Sequence, residues 1–160
     1  MFKKIIGALA GLSLALPAQA ATWDDVKELA DLVSGTGTTV EARVCQRPGI
    51  YGFYRFNTSQ DIDLLVICSN TVDMEDVDMV WEVLAHESTH VMQACNGNYV
   101  VKDSYVPRLA RELQTYAPQS WTTLQQYPLD KRRSEIEAFW MELREPEFVK
   151  EWVRDFCYEM

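Results

Sequence analysis

Two histidines stand four residues apart with a glutamate beside the first, in His86-Glu87-Ser88-Thr89-His90, and the chain has no other histidine. On a helix, positions i and i+4 lie one turn apart on the same face. Both imidazoles can then reach one metal ion, and the intervening glutamate can reach a water held beside it. This H-E-x-x-H arrangement is the one a zinc-dependent hydrolase uses to make a nucleophile from water, with Glu87 as general base.

Catalytic zinc takes three protein ligands and leaves one position open. His86 and His90 supply two. Gln93 and Asn96 occupy the positions where the metzincin motif carries Gly and His, which excludes that class. A carboxylate is the first choice to complete the set, ahead of a cysteine or a tyrosine, and the best region is Arg133-Ser134-Glu135-Ile136-Glu137-Ala138, on a strongly periodic helical stretch. Glu135 and Glu137 flank its apolar stripe on opposite sides, and the helical wheel leaves both open. A tetrahedral oxyanion needs a donor of its own, and Tyr99, Tyr105, Tyr127 and Arg133 are the candidates.

H-E-x-x-H followed by E-x-x-A on a later helix resembles the gluzincin metallopeptidases, in particular the small single-domain ones. The resemblance spans at most Ser69 to Leu143. It implies that Glu135, the first residue of Glu135-Ile136-Glu137-Ala138, is the third zinc ligand. In that group an aspartate or asparagine often follows the alanine and orients a histidine ligand. This chain has Phe139 there, so any orienting group must come from elsewhere, and Glu137 stays open as a ligand.

The elements that must hold these residues are legible from periodicity. Val77, Val80, Trp81, Leu84, Ser88, Val91 and Cys95 follow helical spacing, with cap-forming and acidic residues before them and Asn96-Gly97 after, so H-E-x-x-H lies inside a long amphipathic helix. Thr22 caps an earlier helix with Asp24 and Asp25 in its first turn. Between the two, Thr38 to Val44, Ile50 to Phe56 and Ile62 to Cys68 read as strands, the last two joined by a turn at Asn57-Thr58-Ser59-Gln60. Downstream, Ser104 is placed to cap a third helix, Pro118 and Pro128 bracket a short piece, Leu129 to Arg144 forms the glutamate-bearing helix, and Pro146 begins the last. The expected class is α+β: a small antiparallel three-stranded sheet packed with about four to five helices.

Lys3-Lys4, the apolar run Ile5 to Leu16 and Ala18-Gln19-Ala20 read as a secretory signal over residues 1–20, followed by one metallopeptidase-like domain over 21–160. The apolar run is shorter than the roughly 20 residues a membrane span needs, so no membrane is expected to hold the mature chain, and its location is periplasmic or secreted. The formal charge of −9, or −11 without Lys3 and Lys4, offers no footprint for nucleic acid. Four cysteines in an exported chain suggest two disulfides, and Cys45–Cys68 with Cys95–Cys157 is the favoured pairing.

The expected activity is peptide-bond hydrolysis by one Zn2+ per chain held by His86, His90 and Glu135, on a peptide or protein substrate that a sheet edge could bind as an added strand. Two other classes compete. A zinc carrier would be richer in histidine and has no use for Glu87. An exported interaction module with a degenerate site would hold no zinc.

Overall fold

The computed structural model describes residues 20–158. The expected signal lies, but for Ala20, outside them. Thr22 caps α1 (Trp23–Gly35) in a capping box: its hydroxyl accepts from the Asp25 backbone, and the Asp25 carboxylate accepts from the Thr22 N–H at 2.9 Å. Leu29 and Val33 carry the buried stripe of this helix.

Three strands follow: β1 (Thr39–Arg43), β2 (Gly52–Asn57) and β3 (Ile62–Cys68). The sheet order is β1-β3-β2. β2 and β3 form the expected antiparallel hairpin, closed by a 3-10 turn at Thr58–Gln60 with Asp61 in the left-handed region at φ 53°. β1 differs from expectation. It pairs parallel with β3, Thr39 opposite Leu64 and Arg43 opposite Cys68, so the sheet is mixed instead of antiparallel throughout. Strand periodicity tells which face a residue takes but not the direction of its neighbour. Here the segment after β1 crosses the end of β3 before β2 begins. It is fastened there by the Cys45–Cys68 disulfide and by Asn70, whose side chain bonds the Cys45 N–H and carbonyl at 2.8 and 3.2 Å.

Asp76 caps α2 (Val77–Cys95) through bonds to the Asp78 and Met79 N–H groups. At 19 residues it is about 28 Å long, and it runs through the centre of the molecule, burying Val80, Trp81, Leu84, Ala85, Val91 and Met92. A 3-10 turn at Asp103–Tyr105 leads into α3 (Val106–Tyr116), so Ser104 lies within that turn and not at a helix cap. Then come α4 (Pro118–Leu124), α5 (Arg132–Glu142) and α6 (Pro146–Cys157). Among the described residues, six α-helices and a three-stranded sheet make the α+β architecture, with one helix more than expected because Pro118 starts a helix of its own.

The main core lies between the sheet, α1, α2, α5 and α6. Cys95–Cys157 ties the end of α2 to the end of α6. Both disulfides have the expected pairing, and they fit an oxidising compartment. Lys150 of α6, only 4% exposed, is held by Asp25 and Glu28 of α1 and by Glu147. No helix among the described residues is long and apolar enough to cross a membrane.

Candidate metal centre

α2 and α5 pack side by side and bring His86, His90 and Glu135 together. His86 Nε2 lies 3.2 Å from Glu135 Oε2, and His90 Nε2 lies 3.6 Å from Glu135 Oε1. Donor atoms about 2.0–2.1 Å from a tetrahedral ion stand roughly 3.4 Å from one another. The three side chains offer atoms all within 4.8 Å of one another, so the cluster could hold a metal ion.

The other ring nitrogens are already committed. His86 Nδ1 donates to Glu142 Oε1 at 2.6 Å, and the Phe139 ring packs edge-on against the imidazole. His90 Nδ1 donates to Gln93 Oε1 at 2.9 Å. The orientation of Gln93 is set by its amide nitrogen, which donates to the Ser134 carbonyl and to Glu137 Oε2 at 3.1 and 2.8 Å. With both Nδ1 atoms donating, the two Nε2 atoms are left to face Glu135, and loss of the proton from each Nε2 gives the tautomer a metal requires.

Glu137 stands apart from this cluster. It is fully buried and accepts from the Val100 and Val101 N–H groups, from Gln93 and from Arg133 Nη1 at 2.7 Å. Arg133 also donates to the Val101 carbonyl and lies over the Tyr99 ring at 4.4 Å. Arg133, Glu137, Gln93 and His90 thus form one chain of bonds running from the loop after α2 to the site.

The electrostatics are those of a buried acidic pocket. Burial works against ionising Glu135, but the hydrogen bonds from His86 and His90 outweigh it and hold the carboxyl down at about 2. Burial opposes the charge on His86 too, yet its bonds to Glu135 and Glu142 keep the imidazole well above its ordinary value. Glu87, 7% exposed, is pushed up mainly by burial, partly offset by the two histidines.

A cleft of about 470 Å³ opens onto His86 and Glu87. One wall is the start of β2 with Gly49 to Gly52, another is α2 with Met79, Glu82 and Val83, and α4 with Tyr127 faces them. Gly52 lets β2 settle on α2: a Cβ there would meet Val83 Cγ1 at 2.7 Å, the Val66 carbonyl at 2.8 Å and Glu87 Cγ at 3.2 Å.

Residues 24–158, which include every residue of this site, match the family described as a domain of unknown function, DUF8637. The chain belongs to that family. No curated protein and no solved structure matches it. In this DUF8637 domain the four candidate oxyanion donors separate. Tyr127 lines the cleft, 6.2 Å ring to ring from Phe139. Arg133 and Tyr99 belong to the bonded chain behind His90, and Tyr105 lines a different cavity. Burial first, then the Glu135, Glu87 and Glu142 carboxylates, push the Tyr127 phenol up to about 12, so it stays protonated as a donor. Glu142 and Gln93 were not among the candidates read from sequence. Glu142 lies seven residues after Glu135, two turns along the same face, and that spacing is the signal that could have found it.

Proposed function

We propose that this protein is an exported, zinc-dependent metallopeptidase of gluzincin type. The observation that carries the reading is the bonding of both Nδ1 atoms, to Glu142 and to Gln93, which turns both Nε2 atoms toward the Glu135 carboxylate, where on losing their protons they can ligate an ion. A site of oxygen and imidazole donors with one carboxylate suits zinc, and such sites leave a position open. When bound, the ion supplies Lewis-acid activation of water and of a carbonyl group.

The residues of the chain divide the remaining work. Glu87, next to His86 and open to the cleft, takes the proton of the attacking water and passes it to the departing amine. Tyr127 donates a hydrogen bond from its hydroxyl to the carbonyl oxygen as negative charge develops there. Among the described residues the outer edge of β2 has no strand paired to it, and Tyr51 and Gly52 line the cleft. An extended peptide added along this edge would carry its backbone past Glu87. Export follows from the signal read at residues 1–20, with the two disulfides as support.

Elemental analysis of the purified protein tests this first. About one zinc per chain is expected, lost in His86→Ala and in Glu135→Ala. Glu87→Gln should keep the zinc and abolish cleavage of a denatured protein substrate. Absence of zinc from wild-type protein supplied with it would overturn the reading. Cleavage that survives Glu87→Gln would overturn the role of that residue.

A further inference from the structure

A second and larger cavity, of about 720 Å³, lies on the other side of α5, where α3, α5 and α6 meet. Its floor is aromatic. Phe148 stands 5.8 Å from Trp140 and 4.9 Å from Trp152, centroid to centroid, and Phe148 and Trp152 are only half-buried. The Trp140 N–H is already spent on Glu112 at 2.7 Å, so this floor presents ring surface and not that donor. Leu109 and Leu143 add apolar wall.

The rim carries the opposite character. Lys102, Arg108 and Arg144 meet there in a chain whose net charge is −9. Glu112 binds Arg108 through Nε at 2.9 Å and Arg144 through Nη2 at 3.1 Å. A guanidinium has five N–H donors, so one shared carboxylate leaves most of them for another partner. Glu145 is the second carboxylate at this rim, and three cations against two anions leave one positive charge in excess. Arg144 also lies over the Trp140 ring at 4.3 Å, joining the charged rim to the aromatic floor.

A volume of this size, largely apolar with a few convergent polar groups, has the character of a small-molecule site. We propose that it binds a small amphiphilic carboxylate, with its ring or alkyl body on Phe148 and Trp152 and its anionic group among Lys102, Arg108 and Arg144. The assignment rests on this cavity alone and stands or falls apart from the metal centre.

The probe is 1-naphthylacetate, titrated into the disulfide-intact full chain by calorimetry and by the indole N–H resonances of Trp140 and Trp152. Its uncharged analogue 1-naphthylacetamide is titrated beside it. Saturable one-site binding is expected, with both indole signals shifting and the acetamide at least tenfold weaker. Lys102→Glu, at an exposed position, should weaken the acetate at least tenfold while leaving the acetamide unchanged, and Arg108→Gln should act in the same direction. No saturation at millimolar probe would overturn the proposal. So would equal affinity for acetate and acetamide, indifference to Lys102→Glu, or binding that leaves both indoles unmoved.

Discussion

His86 Nδ1 and Glu142 Oε1 are 2.6 Å apart, a charge-assisted hydrogen bond across the interface of α2 and α5. It fixes the ring so that Nε2 points at Glu135. Partners of this kind typically contribute 10–100-fold to metal affinity. Glu142→Gln should therefore weaken zinc binding by roughly that factor in a chelator competition while leaving one zinc per chain at saturation. An unchanged affinity would mean that Phe139 packing alone orients the ring.

Glu135 and Glu137 should separate in opposite ways. Glu137→Ala takes the closer of its two carboxylate partners from the half-buried Arg133 and leaves two backbone N–H groups without an acceptor, and breaking such a network costs about 3–5 kcal/mol. Denaturant unfolding should register that loss, while zinc stoichiometry at saturation is kept. Glu135→Ala should abolish stoichiometric zinc with a smaller effect on the metal-free protein. A Glu137→Ala variant of native stability would refute the structural role.

Gly52→Ala places a methyl group against Val83, the Val66 carbonyl and Glu87. Overpacking of this sort costs about 1–3 kcal/mol, and here it also lifts the edge of β2 from the cleft. Thermal melting should drop, and peptidase activity should fall by more than stability explains. Full activity would show that the position of β2 does not matter to the site.

The Glu112 carboxyl sits below its ordinary value. Burial pushes it up, but the hydrogen bonds from Trp140 and Arg108 and the nearby Arg144 charge outweigh that. A depressed carboxylate stabilises the fold above its unfolded value, about 4.3, and that contribution is lost as pH falls through the lower folded value. Glu112→Gln should flatten the acid limb of a stability-versus-pH curve below about pH 4.5. An identical acid limb in the variant would contradict this sign.

Removing Cys95–Cys157, which spans 62 residues, should cost about 4 kcal/mol by loop entropy, against about 3 kcal/mol for the 23-residue span of Cys45–Cys68. Urea midpoints of the two Cys→Ser double variants would rank them. The reverse order would place the greater constraint on the sheet side.

Most of α2 could be read from its pattern, because caps, apolar spacing and a glycine stop all agree over Val77–Cys95. The H-E-x-x-H face followed from that helix. α5 was harder. Its buried residues include Glu135 and Glu137 beside Ala138, Trp140 and Met141, so it has no simple polar side, and a wheel drawn on hydrophobicity treats both glutamates as solvated. Only the partners supplied by α2 and the Val100–Val101 backbone distinguish them. Gln93 was visible in the sequence only as a departure from another motif. Its link to His90 depends on Ser134, 41 residues away. The parallel pairing of β1 depends on how a loop crosses a strand end, which no period records.

That pairing constrains the order of assembly. β2 and β3 are joined by a four-residue turn and can zip locally, within about 1–10 μs for a hairpin. β1 has no partner until β3 exists, so its docking must wait for the hairpin, although β1 leaves the ribosome first. Until then the edge of Leu64-Leu65-Val66-Ile67 is bare, the kind of apolar strand edge that seeds association between chains. Pulsed hydrogen exchange during refolding should protect the amides shared by β2 and β3 before those of β1. Refolding yield should fall with protein concentration in that interval, and simultaneous protection of all three strands would contradict the sequence of events.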